Sequence, residues 1–236
     1  MSEKFHGAVK ALIFDLDGTL IDSKRDLVLS VNATLREMRR AELPEDLVAS
    51  YVGSGAPVLI SRALGGAAEP EEVQRALKFF LGHYEEHKLD FTKAYLGVRE
   101  ALEELRGVPM AVLTNKPANI SVRILEGLGL AEFFCAIYGG NSFATKKPDP
   151  LGANTILGEM GIVGAQAAMV GDSEVDVQTA RNAGMISVIV NFGFGTHDRK
   201  RFPADIYIDR MGELVPLVRD GDATVKAASA RKRPKS

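Results

Sequence analysis

The pattern of apolar and polar positions changes character twice along the chain. Residues 9–14 are apolar apart from Lys10 and read as a buried strand. From about residue 21 to residue 90, apolar positions recur instead at three- and four-residue spacing. Leu27, Val31, Leu35 and Met38 mark an amphipathic helix reaching about Arg40, with Asp22 and Ser23 as N-cap candidates. Pro44 opens a short helix. Residues 57–64 predict another, introduced by a glycine-bracketed turn at 51–56 and closed by Gly65 and Gly66. A longer helix starts at Pro70, with Val73, Leu77, Phe80, Leu81 and Tyr84 as its buried stripe. No strand is predicted in this stretch.

From residue 97 the pattern alternates. Helices are predicted at 98–105, 118–128, 150–160, 175–183 and 213–217, and strands at 110–113, 136–138, 167–170, 187–190 and 206–208, the last at an edge. Such alternation implies an α/β fold: a Rossmann-like parallel sheet with right-handed crossovers and helices on both faces. The expected organisation is a core from residues 1–20 and 91–225, a small all-helical insert after the first strand at 21–90, and a basic, disordered tail at 226–236.

Composition narrows the class of partner. The 236-residue chain is 46% hydrophobic and 25% charged with a net charge of −2, ordinary for a globular enzyme and without the basic field of a nucleic-acid binder. No run of 18 apolar residues suggests a membrane span, and residues 1–4 lack a signal-peptide apolar region. The single cysteine, Cys135, excludes an intramolecular disulfide; following two phenylalanines, it is expected to be packed. A cytoplasmic monomer or dimer is the expectation.

The candidate chemistry lies at the strand ends, where ligands bind in open parallel sheets. The first strand runs into Asp15-Leu16-Asp17-Gly18-Thr19. Asp15 and Asp17 share a side if the chain stays extended, and burying two carboxylates is costly unless a metal ion or chemistry compensates. Thr114-Asn115-Lys116 follows the second predicted strand, and Lys146-Lys147-Pro148 lies beyond the third. Gly171-Asp172-Ser173-Glu174-Val175-Asp176 follows the fourth, and Asn191-Phe192-Gly193-Phe194-Gly195 the fifth. His83 and His87, at i and i+4, lack a further nearby ligand and read as a solvated helix face rather than a metal pair.

These stretches, in this order, resemble the four motifs of the haloacid dehalogenase superfamily: Asp15-Leu16-Asp17-Gly18-Thr19, Thr114-Asn115, Lys147-Pro148 and Gly171–Asp176. The resemblance implies a phosphatase whose small helical cap is residues 21–90. It implies Asp15 as nucleophile forming an aspartyl-phosphate and Asp17 as acid and base. Mg²⁺ would be held by Asp15, Asp172 and the Asp17 carbonyl. Thr114, Asn115 and Lys147 would hold the phosphoryl group, with Asp176 and Ser173 supporting. Lys147 would offset repulsion between the Asp15 anion and the phosphate; one such pair at ~4 Å is worth roughly 4 kcal/mol at an effective dielectric near 20. The segment from Tyr51 to Leu59 is similar to the cap of phosphoglycolate phosphatases. There Gly53, Ser54 and Gly55 would bring backbone N–H groups to a small anionic substrate, and Arg62 or Lys93 would meet its carboxylate. Leu96 and Asn141 depart from that pattern, where proline and an acidic residue are frequent. The resemblance implies hydrolysis of a small phosphorylated organic acid, 2-phosphoglycolate before others. Pyrophosphatase, sugar-phosphate phosphatase and β-phosphoglucomutase activities stay open on the same scaffold, and a non-catalytic binding protein stands behind them. Hinges are expected at 20–23 and 89–95.

Overall fold

The computed structural model describes residues 9–195 and 197–219, so the lead-in at 1–8 and the basic tail lie outside the described residues. The chain begins with β1 (Ala11–Phe14), buried at all four positions, and a two-residue strand β2 (Ile21–Asp22). Four helices follow: α1 (Lys24–Glu37), α2 (Glu45–Ala49), α3 (Ala56–Ala63) and α4 (Pro70–His87). The chain returns through β3 (Lys93–Ala94), which pairs antiparallel with β2. Then come α5 (Val98–Glu104), β4 (Met110–Leu113), α6 (Ala118–Gly127), β5 (Ala136–Tyr138) and α7 (Leu151–Met160). The rest is β6 (Ala167–Gly171), α8 (Glu174–Asn182), β7 (Ile186–Val190), β8 (Ile206–Ile208) and α9 (Leu214–Arg219). No helix among the described residues is long and apolar enough to cross a membrane.

Six strands form one sheet in the order β5-β4-β1-β6-β7-β8, with every pairing parallel and β8 at an edge as predicted. The near-continuous apolar character of the strands follows from coverage on both faces. Alternation sends Leu12, Phe14, Val112 and Val170 to one face, against α5, α6 and α9. Ala11, Ile13, Leu113 and Met169 go to the other, against α7 and α8. The chain order reverses across β1 and β6, so their tips flank the switch point where a crevice opens.

The β2–β3 ribbon was not legible from the hydrophobic pattern, because two residues carry no measurable alternation. It marks where the helical insert leaves and rejoins the sheet, at the positions expected for hinges. Within the insert, α1 packs against α4, with Leu27, Val31 and Leu35 in one apolar cluster with Ala76, Phe80 and Tyr84. Buried Asp26 of α1 fastens the return segment. Its carboxylate accepts the backbone N–H groups of Phe91 at 3.0 Å and Thr92 at 2.8 Å, and the Thr92 hydroxyl at 2.7 Å.

Two expectations are corrected. Ser23 occupies the N-cap position of α1 but caps nothing; its hydroxyl donates to Asp17. Cys135 is exposed rather than packed, because it precedes β5 on the surface while Phe133 takes the buried place. The partly buried His83 meets the Ser30 hydroxyl at 3.0 Å, and His87 meets Asp90 at 2.8 Å. Asn141 gains a structural role: its side-chain oxygen accepts the N–H of Ala118 at 2.9 Å, at the start of α6.

Replacing Asp26 with alanine leaves buried N–H groups at the ribbon without an acceptor. The Asp26→Ala variant is expected to lose about 3 kcal/mol and to melt roughly 6–12 °C lower in a thermal scan. An unchanged melting temperature would show that this clasp does not hold the insert.

Candidate functional site

The tip of β1 folds back on itself through local backbone bonds. The Leu16 carbonyl accepts the N–H groups of Leu20 at 3.0 Å and Ile21 at 3.2 Å. Gly18 sits at φ +79°, and a Cβ there would fall 1.9 Å from Asp172 Oδ2. Glycine is therefore required twice, for the left-handed backbone and for the close approach of the β6 tip. The turn points Asp15 and Asp17 to different partners although they stand two residues apart.

Asp15 joins Asp172 and Asp176 in a buried cluster whose carboxylate oxygens lie within 4.8 Å of one another. Lys147 supplies the facing positive charge. Its ammonium donates to Asp176 Oδ1 at 2.7 Å and lies 2.9 Å from Asp15 Oδ1. The second contact is an ion pair, and among the described residues this buried Asp15 oxygen has no other polar partner. Asp176 is saturated: its other oxygen accepts the Ser173 N–H at 3.1 Å and hydroxyl at 2.7 Å, at the start of α8. Asp172 accepts the Gly195 N–H at 2.7 Å.

Three carboxylates against one ammonium leave a surplus of negative charge away from water. Burial pushes the Asp15 carboxyl up to about 6, with Lys147 opposing and Asp176 adding to the rise. Burial, then Asp176 and Asp15, lift Asp172 well above the usual carboxylate range. For Lys147, burial works against the charge, but Asp15 and Asp176 outweigh it and raise its pKa. A divalent cation fits this set. The donors are all oxygens, and with both Asp176 oxygens occupied by Lys147 and Ser173, Asp15 and Asp172 are the carboxylates with ligand capacity left. Saturated Asp176 suits support of Lys147 better than direct ligation.

Asp17 faces away from that cluster. Lys116 donates to its two oxygens at 3.0 and 2.9 Å, and Ser23 donates to the first. Lys116 is itself buried, its side chain 4% exposed, and sits 4.4 Å from the centroid of the Tyr84 ring of α4. The Tyr84 hydroxyl is buried without a hydrogen-bond partner, and burial raises its pKa to about 12. Lys116 was not legible as a site residue: its partner lies 99 positions away, and the run Thr-Asn-Lys says nothing of that.

A cavity of about 50 Å³ opens between the sheet tips and the helical insert. It brings together Asp15, Asp17, Thr114, Asn115, Asp172 and Ser173 with Gly53 and Gly55 of the insert. The Asn115 amide donates to the Gly53 carbonyl at 2.9 Å and to the Lys147 carbonyl at 3.0 Å, joining insert, strand tip and lysine loop. Lys147 touches Asp15 but is not on the cavity wall, and Ser54 is absent from it as well, between two glycines that are present. Arg62 and Lys93 are exposed and off the wall, so the expectation that either meets a substrate carboxylate is not supported. A neighbouring cavity of about 570 Å³ shares Ala56, Leu81, Asn115, Pro117 and Ile120 with the first and carries Arg123 and Lys146.

Comparison with known proteins gives a consistent picture. A family model described as haloacid dehalogenase-like hydrolase matches residues 12–190. The chain is 39% identical over 237 aligned positions to a phosphoglycolate phosphatase of Pseudomonas syringae pv. tomato, covering 96% of this chain and 86% of the relative. A phosphoglycolate phosphatase of Rhodospirillum rubrum is 41% identical over 194 positions, 78% of this chain and 80% of that one. The crystal structure of a predicted phosphoglycolate phosphatase from Haemophilus somnus 129PT is similar with a TM-score of 0.85 and 31% identity, covering 89% of this chain and 98% of that chain.

The elevated Asp15 pKa has a consequence for stability. Without a cation, the neutral form is favoured on folding; that contribution is full below 3.8 and is lost as pH rises through about 6. Asp15→Asn is therefore expected to stabilise the cation-free protein at pH 8, on the order of 2–3 kcal/mol, and to do less at pH 5. Melting curves at the two pH values check this. Equal shifts at both would remove Asp15 ionisation as a source of strain.

Proposed function

This chain belongs to the haloacid dehalogenase-like hydrolase family, and we propose that it is a Mg²⁺-dependent phosphatase acting on 2-phosphoglycolate through an aspartyl-phosphate. The observation that carries the reading is the buried carboxylate cluster at the switch point, with three carboxylates facing one lysine. The names of the two relatives support the substrate.

In this reading Asp15, Asp172 and the Asp17 carbonyl hold the cation. Mg²⁺ suits an all-oxygen site that also receives a phosphate. When bound, the ion supplies positive charge to the phosphoryl oxygens and to the Asp15 anion. The Asp15 carboxylate attacks phosphorus, and the bond from phosphorus to the ester oxygen breaks. Asp17, entering the step in its protonated form, gives that proton to the departing alkoxide. It then takes a proton from the water that attacks the acyl phosphate, which restores Asp15 and releases phosphate. The Thr114 hydroxyl, the Asn115 backbone N–H and Lys147 hold the phosphoryl oxygens. Asp176 fixes Lys147, and Ser173 fixes Asp176.

Residues 21–90 act as a cap over a core built from residues 1–20 and 91–225, moving on the β2–β3 ribbon and excluding water from the phosphoenzyme. The Asn115–Gly53 bond is one contact that such closure would make. A cytoplasmic location belongs to the same reading.

Turnover of a phosphate panel, with Mg²⁺ and with EDTA, tests the function. The highest kcat/KM is expected for 2-phosphoglycolate with Mg²⁺, and background rates in EDTA. Preference for pyrophosphate or hexose phosphates, or full activity in EDTA, would overturn it. Asp15→Asn is expected to lower kcat at least about 10³-fold, because loss of the nucleophile disables the unit. Parental rates in that variant would exclude the covalent route.

A further inference from the structure

We propose that Lys116 and the hydroxyl of Tyr84 form the subsite for the substrate's second anionic group, a carboxylate one carbon from the ester oxygen. This rests on the phosphatase reading above and names what selects its substrate.

The charge of the cavity wall leads to it. The ionised side chains lining the cavity among the described residues are Asp15, Asp17, Asp172 and Lys116, so Lys116 is the one cation there. Beyond the strand tips, the insert's side of the wall is mainly apolar, with Leu27, Val52, Leu59, Phe80 and Leu81. A phosphorylated acid carries a carboxylate as well as its phosphate. Lys147 and the cation serve the phosphate end. A carboxylate buried without a partner is strongly disfavoured, and only Lys116 offers it a charge on this wall. Of the neighbouring cavity's cations, Arg123 is 60% exposed and already paired with Glu85, and Lys146 is exposed to water, so both are poorer partners than the buried Lys116.

The geometry of the ammonium agrees. Lysine has three N–H donors. Two contacts, at 2.9 and 3.0 Å, go to the Asp17 oxygens. The ammonium otherwise faces Tyr84, whose ring centroid is 4.4 Å away and whose hydroxyl lies near enough to help raise the lysine pKa. A substrate carboxylate would take the remaining donor without breaking the Asp17 pair. Asp17 would then stand between the carboxylate end and Asp15, near the ester oxygen it is proposed to protonate.

Tyr84 is the independent observation. Its side chain lines the same cavity, its residue exposure is 1%, and among the described residues its hydroxyl makes no well-aligned hydrogen bond, with the Lys116 ammonium its nearest charged neighbour. Buried hydroxyls are nearly always paired, so one without a well-aligned partner on the cavity wall marks a place for an acceptor. It comes from α4 of the insert, whereas Lys116 follows β4 of the sheet. A carboxylate held by both would join the two parts of the molecule, so the acid group of the substrate would itself favour the closed arrangement.

Ethyl phosphate matches 2-phosphoglycolate with a methyl in place of the carboxylate. The readout is the ratio of kcat/KM for 2-phosphoglycolate to that for ethyl phosphate, measured with Mg²⁺. Lys116→Met is expected to lower this ratio at least about 30-fold, the scale of a lost charge-assisted hydrogen bond. Tyr84→Phe, which removes one oxygen and keeps the ring, is expected to lower it about fivefold; it carries the test alone if Lys116→Met does not fold. If the parent prefers 2-phosphoglycolate and both variants keep its ratio within about twofold, the subsite is wrong while the phosphatase reading stands. A fall in Lys116→Met alone would confine the subsite to the lysine. A parent with no preference for 2-phosphoglycolate over ethyl phosphate would overturn the substrate reading first, and the subsite with it.

Discussion

Three carboxylates and one ammonium, buried together at the tip of a parallel sheet, set the terms for the rest of this molecule. Asp15, Asp172 and Asp176 repel one another where water does not screen them, and Lys147 balances only part of that charge. The surroundings are arranged to hold them there. Gly18 lets the β6 tip approach, the Gly195 N–H meets Asp172, and the start of α8 meets Asp176 through Ser173. Such a cluster would be a liability in a purely structural site. In a site that receives a divalent cation and a phosphate it is a reservoir of ligands and nucleophilic charge.

A second pair, Asp17 with Lys116, keeps its charges matched and separate from the first. That separation matters for chemistry. The group proposed to handle protons stays out of the carboxylate cluster, although only Leu16 lies between Asp15 and Asp17. The tight turn after β1 achieves this by sending the two side chains to different neighbours, Lys147 and Lys116. The helical insert then roofs the site with apolar side chains and one orphaned hydroxyl, and the Asn115–Gly53 bond connects roof to floor.

The sheet was legible in the sequence because its strands are apolar on both faces and end abruptly on polar residues. Strand β4, Met110–Leu113, and strand β5, Ala136–Tyr138, fall where the pattern placed them. The four motif stretches were legible for the same reason, since each follows a strand. What was not legible depends on tertiary contact. Ribbon β2–β3 is too short to show a period. Ser23 has the chemistry of a cap but finds Asp17 instead. Lys116 reads as one more polar residue until Asp17 and Tyr84 surround it. Arg62 and Lys93 were attractive as charges, yet a charge on an exposed helix end or ribbon does not reach a buried carboxylate. Cys135 took its expected burial from its neighbours, but successive residues face different ways.

The account depends on the β1 tip being a place where a cation and a phosphoryl group meet Asp15. A crystal structure grown with magnesium and trifluoroberyllate, a mimic of the phosphoryl group, tests this most directly. The expected result is a metal ion held by Asp15 and Asp172, with beryllium bonded to the Asp15 carboxylate. An ion settled away from these two residues, or a mimic that leaves Asp15 untouched, would contradict it.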